Sequence, residues 1–443
     1  MPCCRREAVW LFSAALAVRV AVLAVTFAAP EALALRDYAG NHAGCVSAER
    51  VTGIRPGCAV LAEDEIGYDA LGRNIAAGRG WLLDQDWVIA QPGTPTAYGG
   101  FLYPALVGAV YAATHGSALA LFLLQSLIGS LAVAGVALAA FRLADRPAAL
   151  AAGALAAIHP GLALNSAWVM SEALAVPLLL GAYLLWVHYL ERPTAARAAA
   201  FGAAAAASCL TRSPALFALV AMVALSLPRQ GFAWRLHARS AAAALLVFAA
   251  CVAPWAARNA CVFHAFVPLD TKAGAALWLD NHPSPNPWRE VWEGRPDPQP
   301  PPGPMPGLDE AQASRHFRAM AVAYVAGHPL TFTGVSAFRL ALSLVPVPRY
   351  WGRWPVARAL AAAAYVALTW LGLAGLWKIR RTAEGRALIG VAAAWLLMMA
   401  CTAVGLRHRL AADWAFTIAA GISLSALTAR ARRRASAPPT PPR

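Results

Sequence analysis

The chain has 443 residues, of which 59% are hydrophobic and only 13% charged, with a mean hydropathy of +0.53 and a net charge of +15. A soluble globular chain carries about a quarter charged residues, so this composition excludes an ordinary soluble domain. The positive charge sits in short segments between long Ala/Leu/Val runs, with no basic stripe interleaved with aromatics, which excludes nucleic acid as a partner and points to membrane lipid instead.

A run of about 18 apolar residues is long enough to cross a bilayer, and backbone groups in lipid must be paired internally, so each run is predicted as a helix. The first, 9–29, follows Arg5 and Arg6; its length favours a retained anchor over a cleaved signal, although Ala32-Leu33-Ala34 resembles a cleavage site. A polar stretch, 30–100, comes next. Apolar runs follow at 119–140, 148–164, 173–189, 198–210, 216–227 and 240–257. A second polar stretch, 258–355, holds the Pro-rich segment 296–306, which cannot be helical throughout, and the apolar segment 336–345, too short to span and read as juxtamembrane. Runs at 356–377, 387–405 and 411–429 precede a basic, Pro-rich tail, 430–443, predicted to be disordered. The expectation is an all-α polytopic membrane protein: a bundle of about ten (nine to twelve) transmembrane helices over 1–429, with two long outer loops bearing juxtamembrane helices.

Loop charge sets the orientation. Arg142 and Arg146, Arg192 and Arg197, Arg229, Arg235 and Arg239, Lys378, Arg380, Arg381 and Arg386, and the arginines of the tail all fall on one side. The positive-inside rule therefore places both termini in the cytoplasm and both long loops outside. The Ala- and Arg-rich composition suggests a GC-rich genome and hence a bacterial inner membrane. Cys45 and Cys58 share the first outer loop; a disulfide between them suits an oxidising compartment, with two free thiols as the alternative.

The chemistry-bearing residues gather on the outer side. Glu63, Asp64 and Glu65 open a short amphipathic segment carrying Ile66, Tyr68, Leu71 and Ile75. As plain structure they are an acidic helix start favoured by the helix dipole. Glu172 begins an apolar run, where a carboxylate is costly unless paired or hydrated; the structural alternative is a helix start capped by Ser171. Arg212, Arg258, Arg407 and Arg409 lie at the same face, suited either to gripping phosphate or to anchoring in lipid headgroups. Acidic groups and several arginines at one membrane face suit chemistry on a phosphate held there. His159, His188 and His282 have no ligand-like spacing and read as structural.

These blocks, in order, resemble the polytopic GT-C glycosyltransferases, and within them glycosyltransferase family 39, the dolichyl-phosphate-mannose–protein mannosyltransferase-like group, with the bacterial lipid A aminoarabinose transferases nearby. The resemblance is carried by Asp64-Glu65-Ile66-Gly67-Tyr68, the segment Asn74 to Trp81, Pro95-Thr96-Ala97-Tyr98, Leu102-Tyr103-Pro104, Ser171-Glu172, Leu210-Thr211-Arg212, Pro254-Trp255 with Arg258-Asn259, Ala276 to Pro283, and Arg407-His408-Arg409-Leu410. It covers about 60–428. It implies a GT-C fold and transfer of a sugar, with inversion, from a polyprenyl-phosphate donor to a hydroxyl of a glycan, lipid or protein acceptor. Asp64 would be the general base, with Glu65 and Glu172 as further acidic residues. Arg212, Arg258, Arg407 and Arg409 would bind the donor phosphate. Tyr68, Tyr98, Tyr103, Trp278 and Asn281 would contact substrate. No cofactor is required; a divalent cation is compatible. The sequence departs from the family pattern at Gly99-Gly100-Phe101, where a cation followed by prolines is common, and at Asp280, His408 and Ala411. The competing function is a transporter or flippase of polyprenyl-linked sugars, which would place polar or broken-helix features near the bilayer midplane.

Overall fold

A computed structural model of the protein describes residues 2–28, 45–46, 59–60, 63–227, 234–281, 305–345, 355–402 and 405–436. The predicted Cys45–Cys58 link, the assignment of His282 and most of the Pro-rich segment fall outside these residues.

Regular structure in the described residues is helical apart from a two-residue antiparallel pairing, β1 (Cys45–Val46) with β2 (Ala59–Val60), and two isolated bridges, Leu82 with Pro95 and Trp87 with Ala90. The helices are α1 (Pro2–Ala28), α2 (Glu63–Ala76), α3 (Leu102–Ala113), α4 (Ala118–Leu143), α5 (Arg146–Ile158), α6 (Pro160–Leu164), α7 (Glu172–Glu191), α8 (Ala195–Thr211), α9 (Ala215–Ser226), α10 (Trp234–Phe263), α11 (Lys272–Asn281), α12 (Glu310–Gly327), α13 (Pro329–Leu344), α14 (Pro355–Ile379), α15 (Ala383–Cys401) and α16 (Leu406–Ala435).

Seven of these, α1, α4, α7, α10, α14, α15 and α16, are long and apolar enough to cross a membrane. The run predicted as one span over 148–164 breaks into α5 and a second segment, bent by 57°. Pro160 causes the break: the residue before a proline is driven out of the helical region, and His159 has φ −62 and ψ 116. Counted together, the bent pair makes eight. The remaining two predicted runs, 198–210 and 216–227, form the shorter apolar helices α8 and α9, of 17 and 12 residues. They nonetheless traverse most of the bundle. Arg197 in α8 donates to His188 O at one end, while Arg212 after α8 meets Glu172 at the other; α9 starts beside that point, and Leu225 near its far end accepts from Arg386.

Side-chain caps start several helices: Ser117, Asp145, Thr194 and Thr382 each accept a backbone N–H from the first turn. Small residues then let the helices approach closely, the usual basis of packing in lipid. A methyl at Gly202 would lie 2.3 Å from Ala244 O, and one at Gly375 within 2.0 Å of Ala419 O, so α8–α10 and α14–α16 depend on glycine there. The last helix, α16, is the axis of the bundle; it packs against α5, α14 and α15 and is buried over most of its length.

The two ends of the bundle differ. One carries Arg142 paired with Glu191, Arg146 with Glu7, and Tyr189 with His237, the helix ends that the sequence placed on the basic side. The opposite end carries α2, α3, α11, α12 and α13. The helix predicted from Ile66, Leu71 and Ile75 is α2, and it packs on α3, which falls between the first outer loop and the next predicted run and was assigned to neither. The segment 336–345, expected to be juxtamembrane, forms the second half of α13.

Candidate active site

The start of α2 brings Asp64 to the mouth of the bundle, where it meets two chain segments distant in sequence. Asp64 Oδ2 accepts from Arg407 Nη2 at 2.6 Å, and Lys272 Nζ lies 3.4 Å from Oδ1. These cations hold the Asp64 carboxyl far below the usual carboxylate range, overcoming a desolvation that acts the other way. Arg407 also turns toward α7, its Nε 3.3 Å from Glu172 Oε1, and Arg212 Nη1 lies 2.7 Å from the same oxygen. Two carboxylates therefore share three cations. The excess positive charge suits a bound anion.

Ser171 does not cap α7. It has helical dihedrals and makes no side-chain cap bond. Its hydroxyl instead accepts from Arg212 Nη1 at 3.2 Å and donates to Glu172 Oε2 at 3.4 Å. The capping alternative for Ser171 is thus replaced by membership of the ionic cluster.

Aromatic rings wall one side. Tyr68 packs edge-on against Trp87 and Tyr103, and Tyr98 against Trp87. Gly67 is required here, since a methyl would fall 2.3 Å from the Trp87 ring. Lys272 Nζ sits 5.1 Å from the Tyr98 ring centre, a cation–π distance. Burial raises the Tyr68 and Tyr98 phenols, so both remain neutral hydroxyls. The departure at Gly99-Gly100-Phe101 has a structural role: Gly100 has φ +72, and Phe101 N donates to Leu210 O, seating the loop on the end of α8.

Lys272 was not singled out in the sequence. An isolated lysine in a polar loop carries no pattern. Its placement comes from a buried latch between the two outer loops. Glu310 accepts from Thr96 Oγ1 at 2.6 Å, from Ala97 N at 2.8 Å and from Thr271 Oγ1 at 2.5 Å. Arg258 joins the latch through Thr96 O and lies over the Trp255 ring, rather than contacting Asp64. Asp270 then accepts the first-turn amide of α11, Lys272 N, at 3.1 Å. Burial raises the carboxyls of both Glu310 and Asp270.

Several predicted site residues are placed elsewhere. Glu65 points away from Asp64 and accepts from Val169 N at 2.9 Å, pinning α2 to the segment before α7. Arg409, two residues after Arg407 and so on a different face of α16, is fully buried; it bonds Asp413, Ser343 O and Thr369, with His159 near Asp413. Tyr103 donates to Gln125. Asn281 accepts from Arg339 and donates to Cys401 O, tying α11 to α13 and α15. Trp278 packs at the edge of the aromatic cluster. Among the described residues no group of three or more His, Cys, Asp or Glu side chains gathers as metal ligands, and the donor set at Asp64 and Glu172 faces cations.

No family model and no curated protein matches the chain by sequence. Solved structures do. The archaeal oligosaccharyltransferase AglB from Archaeoglobus fulgidus, in complex with an inhibitory peptide and a dolichol-phosphate, superposes with a TM-score of 0.53 at 16% identity, over 98% of this chain and 52% of that one. Its apo form gives a TM-score of 0.53 at 15% identity, over 96% and 52%. ArnT from Cupriavidus metallidurans bound to undecaprenyl phosphate aligns more loosely, with a TM-score of 0.40 at 14% identity, over 86% and 77%. The chain spans about half the length of the oligosaccharyltransferase it matches. The fold is the GT-C fold of polytopic membrane glycosyltransferases.

Proposed function

We propose that the protein is a membrane glycosyltransferase that moves a sugar from a polyprenyl-phosphate donor to an acceptor hydroxyl at the outer face of the bacterial inner membrane. The observation that carries this reading is Asp64 held at the end of the bundle by Arg407 and Lys272, with Arg212 alongside. Three cations around a base match what the reaction needs, a proton acceptor next to a site for a phosphate leaving group.

In this reading the donor phosphate draws Lys272, Arg212 and Arg407 onto its oxygens. Asp64 then loses its counter-ions and regains basicity. The acceptor hydroxyl gives its proton to Asp64 as its oxygen bonds to the anomeric carbon from the face opposite the phosphate. The bond from that carbon to the phosphate oxygen breaks, its electron pair stays on the polyprenyl phosphate, and configuration inverts. Lys272, beside Tyr98, supplies the positive charge that Gly99-Gly100-Phe101 lacks. Glu172 keeps Arg212 and Arg407 in position. No step requires a metal.

A transporter or flippase is the second reading, favoured by the break at His159–Pro160 and by Arg19, Arg409 and Asp413 buried within the bundle. Proteoliposomes loaded with radiolabelled polyprenyl-phosphate sugars and native envelope extract separate the two. Labelled product in the extract supports transfer. Donor crossing the bilayer without product sinks it in favour of transport.

A further inference from the structure

Arg19 lies in the middle of α1, inside the first apolar run, and only 1% of it is exposed. A charge at that depth is expensive unless it is paired or hydrated. Two guanidinium nitrogens are accounted for: Nη1 donates to Ala15 O at 3.2 Å and Nη2 to Leu162 O at 3.4 Å. No carboxylate within ion-pair reach of Arg19 is found among the described residues. Arg19 Nε has no hydrogen-bond partner among them either.

The guanidinium lies across Gly129: a methyl there would meet Arg19 Nε at 2.8 Å. Gly129 and Arg19 both line an internal cavity with about 30 Å³ open to the centres of water molecules. The same cavity is lined by Asn165, Glu172 and Trp414. Each is buried; Asn165 Oδ1 and Trp414 Nε1 have no hydrogen-bond partner among the described residues, while Glu172 Oε1 has its ion-pair partners Arg212 and Arg407 on the other side. Around one small chamber there are thus two N–H donors, from Arg19 and Trp414, and two acceptor oxygens. A monovalent anion would satisfy the donors and be repelled by the oxygens. Water both donates and accepts, and a space that admits the centres of water molecules has room for at least one.

We propose that this chamber is an internal water-binding site and that its water links Arg19 to Glu172, making Arg19 a positioning residue for the ionic cluster. Glu172 Oε1 already meets Arg212 and Arg407 from the outer side. The chamber water meets the carboxylate from below, and the Arg19 charge, buried in the bundle, stabilises it through that water. The function assigned to Glu172 rests on the glycosyltransferase reading; the hydration of the chamber does not.

Crystals of the full chain grown in lipid, to a resolution that shows waters, test this directly. Wild type is expected to show one or two ordered waters bonded to Arg19 Nε, with no anomalous peak after bromide soaking. Arg19→Met is expected to lose them and to let the Glu172 carboxylate move, and Arg19→Lys to restore both. In a transfer assay, Arg19→Met is expected to shift the acid limb of the pH–rate profile by about one pH unit or more, which loss of packing alone would not do. A chamber without ordered water, a bromide peak beside Arg19, or a folded Arg19→Met variant with Glu172 and the pH profile unchanged overturns the proposal. If no form transfers sugar, the glycosyltransferase reading falls and the crystallographic comparison alone decides the chamber.

Discussion

Arg407 joins Asp64 to Glu172: Nη2 lies 2.6 Å from Asp64 Oδ2 and Nε lies 3.3 Å from Glu172 Oε1. One guanidinium thus ties the first outer loop, the start of α7 and the start of α16. The planar fork allows this, and a lysine at 407 has one point charge for the same task. Arg407→Gln is expected to remain folded and to weaken undecaprenyl-phosphate binding about ten- to hundredfold, the scale of a charge-assisted hydrogen bond. Arg407→Lys should recover only part. Calorimetric titration of the purified protein checks this; unchanged affinity in Arg407→Gln would remove the residue from the phosphate site.

Arg409 is expected to behave differently, though only one residue separates the two. Its guanidinium pairs with Asp413 in full burial, and removing one member of such a pair leaves the other uncompensated, at about 3–5 kcal/mol. Arg409→Ala should lower the yield of monodisperse protein in detergent size-exclusion chromatography. A folded Arg409→Ala protein that had lost only phosphate affinity would return Arg409 to the donor site.

The Glu310 latch predicts a pH dependence of stability. Burial raises the Glu310 carboxyl above its ordinary value of 4.5. The folded state therefore binds this proton more tightly than the unfolded one, so the contribution is full below about 4.5 and declines as pH rises through the raised value. Asp64 has the opposite sign, since its carboxyl is depressed; its contribution is present above 3.8 and is lost on acidification below it. The difference in Tm between wild type and Glu310→Gln is expected to change steadily as pH is raised from 4.5. A difference independent of pH would mean that Glu310 does not titrate in that window.

Gly274, two residues after Lys272, has no room for a side chain: a methyl would lie 1.8 Å from Ser314 O in α12. Gly274→Ala must push α11 and α12 apart, at about 1–3 kcal/mol, and carry Lys272 away from Asp64. Transfer should fall more than stability. Full activity with an unchanged Tm would show that the α11–α12 contact does not set the lysine.

Glu172, Arg212 and Arg407 were legible in the sequence because charges at the edges of apolar runs stand out, and loop alternation puts them on one face; Asp64 stood out as part of the acidic start of an amphipathic segment and through the resemblance to the GT-C enzymes. Lys272 and Glu310 were not, since they act through contacts between loops more than 170 residues apart in sequence, and a single charge in a polar stretch has no background to stand against. Arg19 was hidden for the opposite reason: one arginine barely lowers the mean hydropathy of a long apolar run. Span number was read from run length, which counted about ten; seven helices, or eight with the bent pair, are long and apolar enough to cross, α8 and α9 are shorter, and run length did not show that Pro160 would divide a third run. The helix α3 was missed because its 12 residues are too few for a span, and its Leu-Tyr-Pro start was read only as the block before the next one.

The most direct test is sugar transfer by Asp64→Asn under single-turnover conditions with saturating donor, in protein shown to be folded and to bind undecaprenyl phosphate. The proposed role of Asp64 predicts at least an about 100-fold loss of transfer, the usual contribution of a general base, with binding retained. Transfer at the wild-type rate would contradict it and leave the Asp64–Arg407 pair as a structural tie.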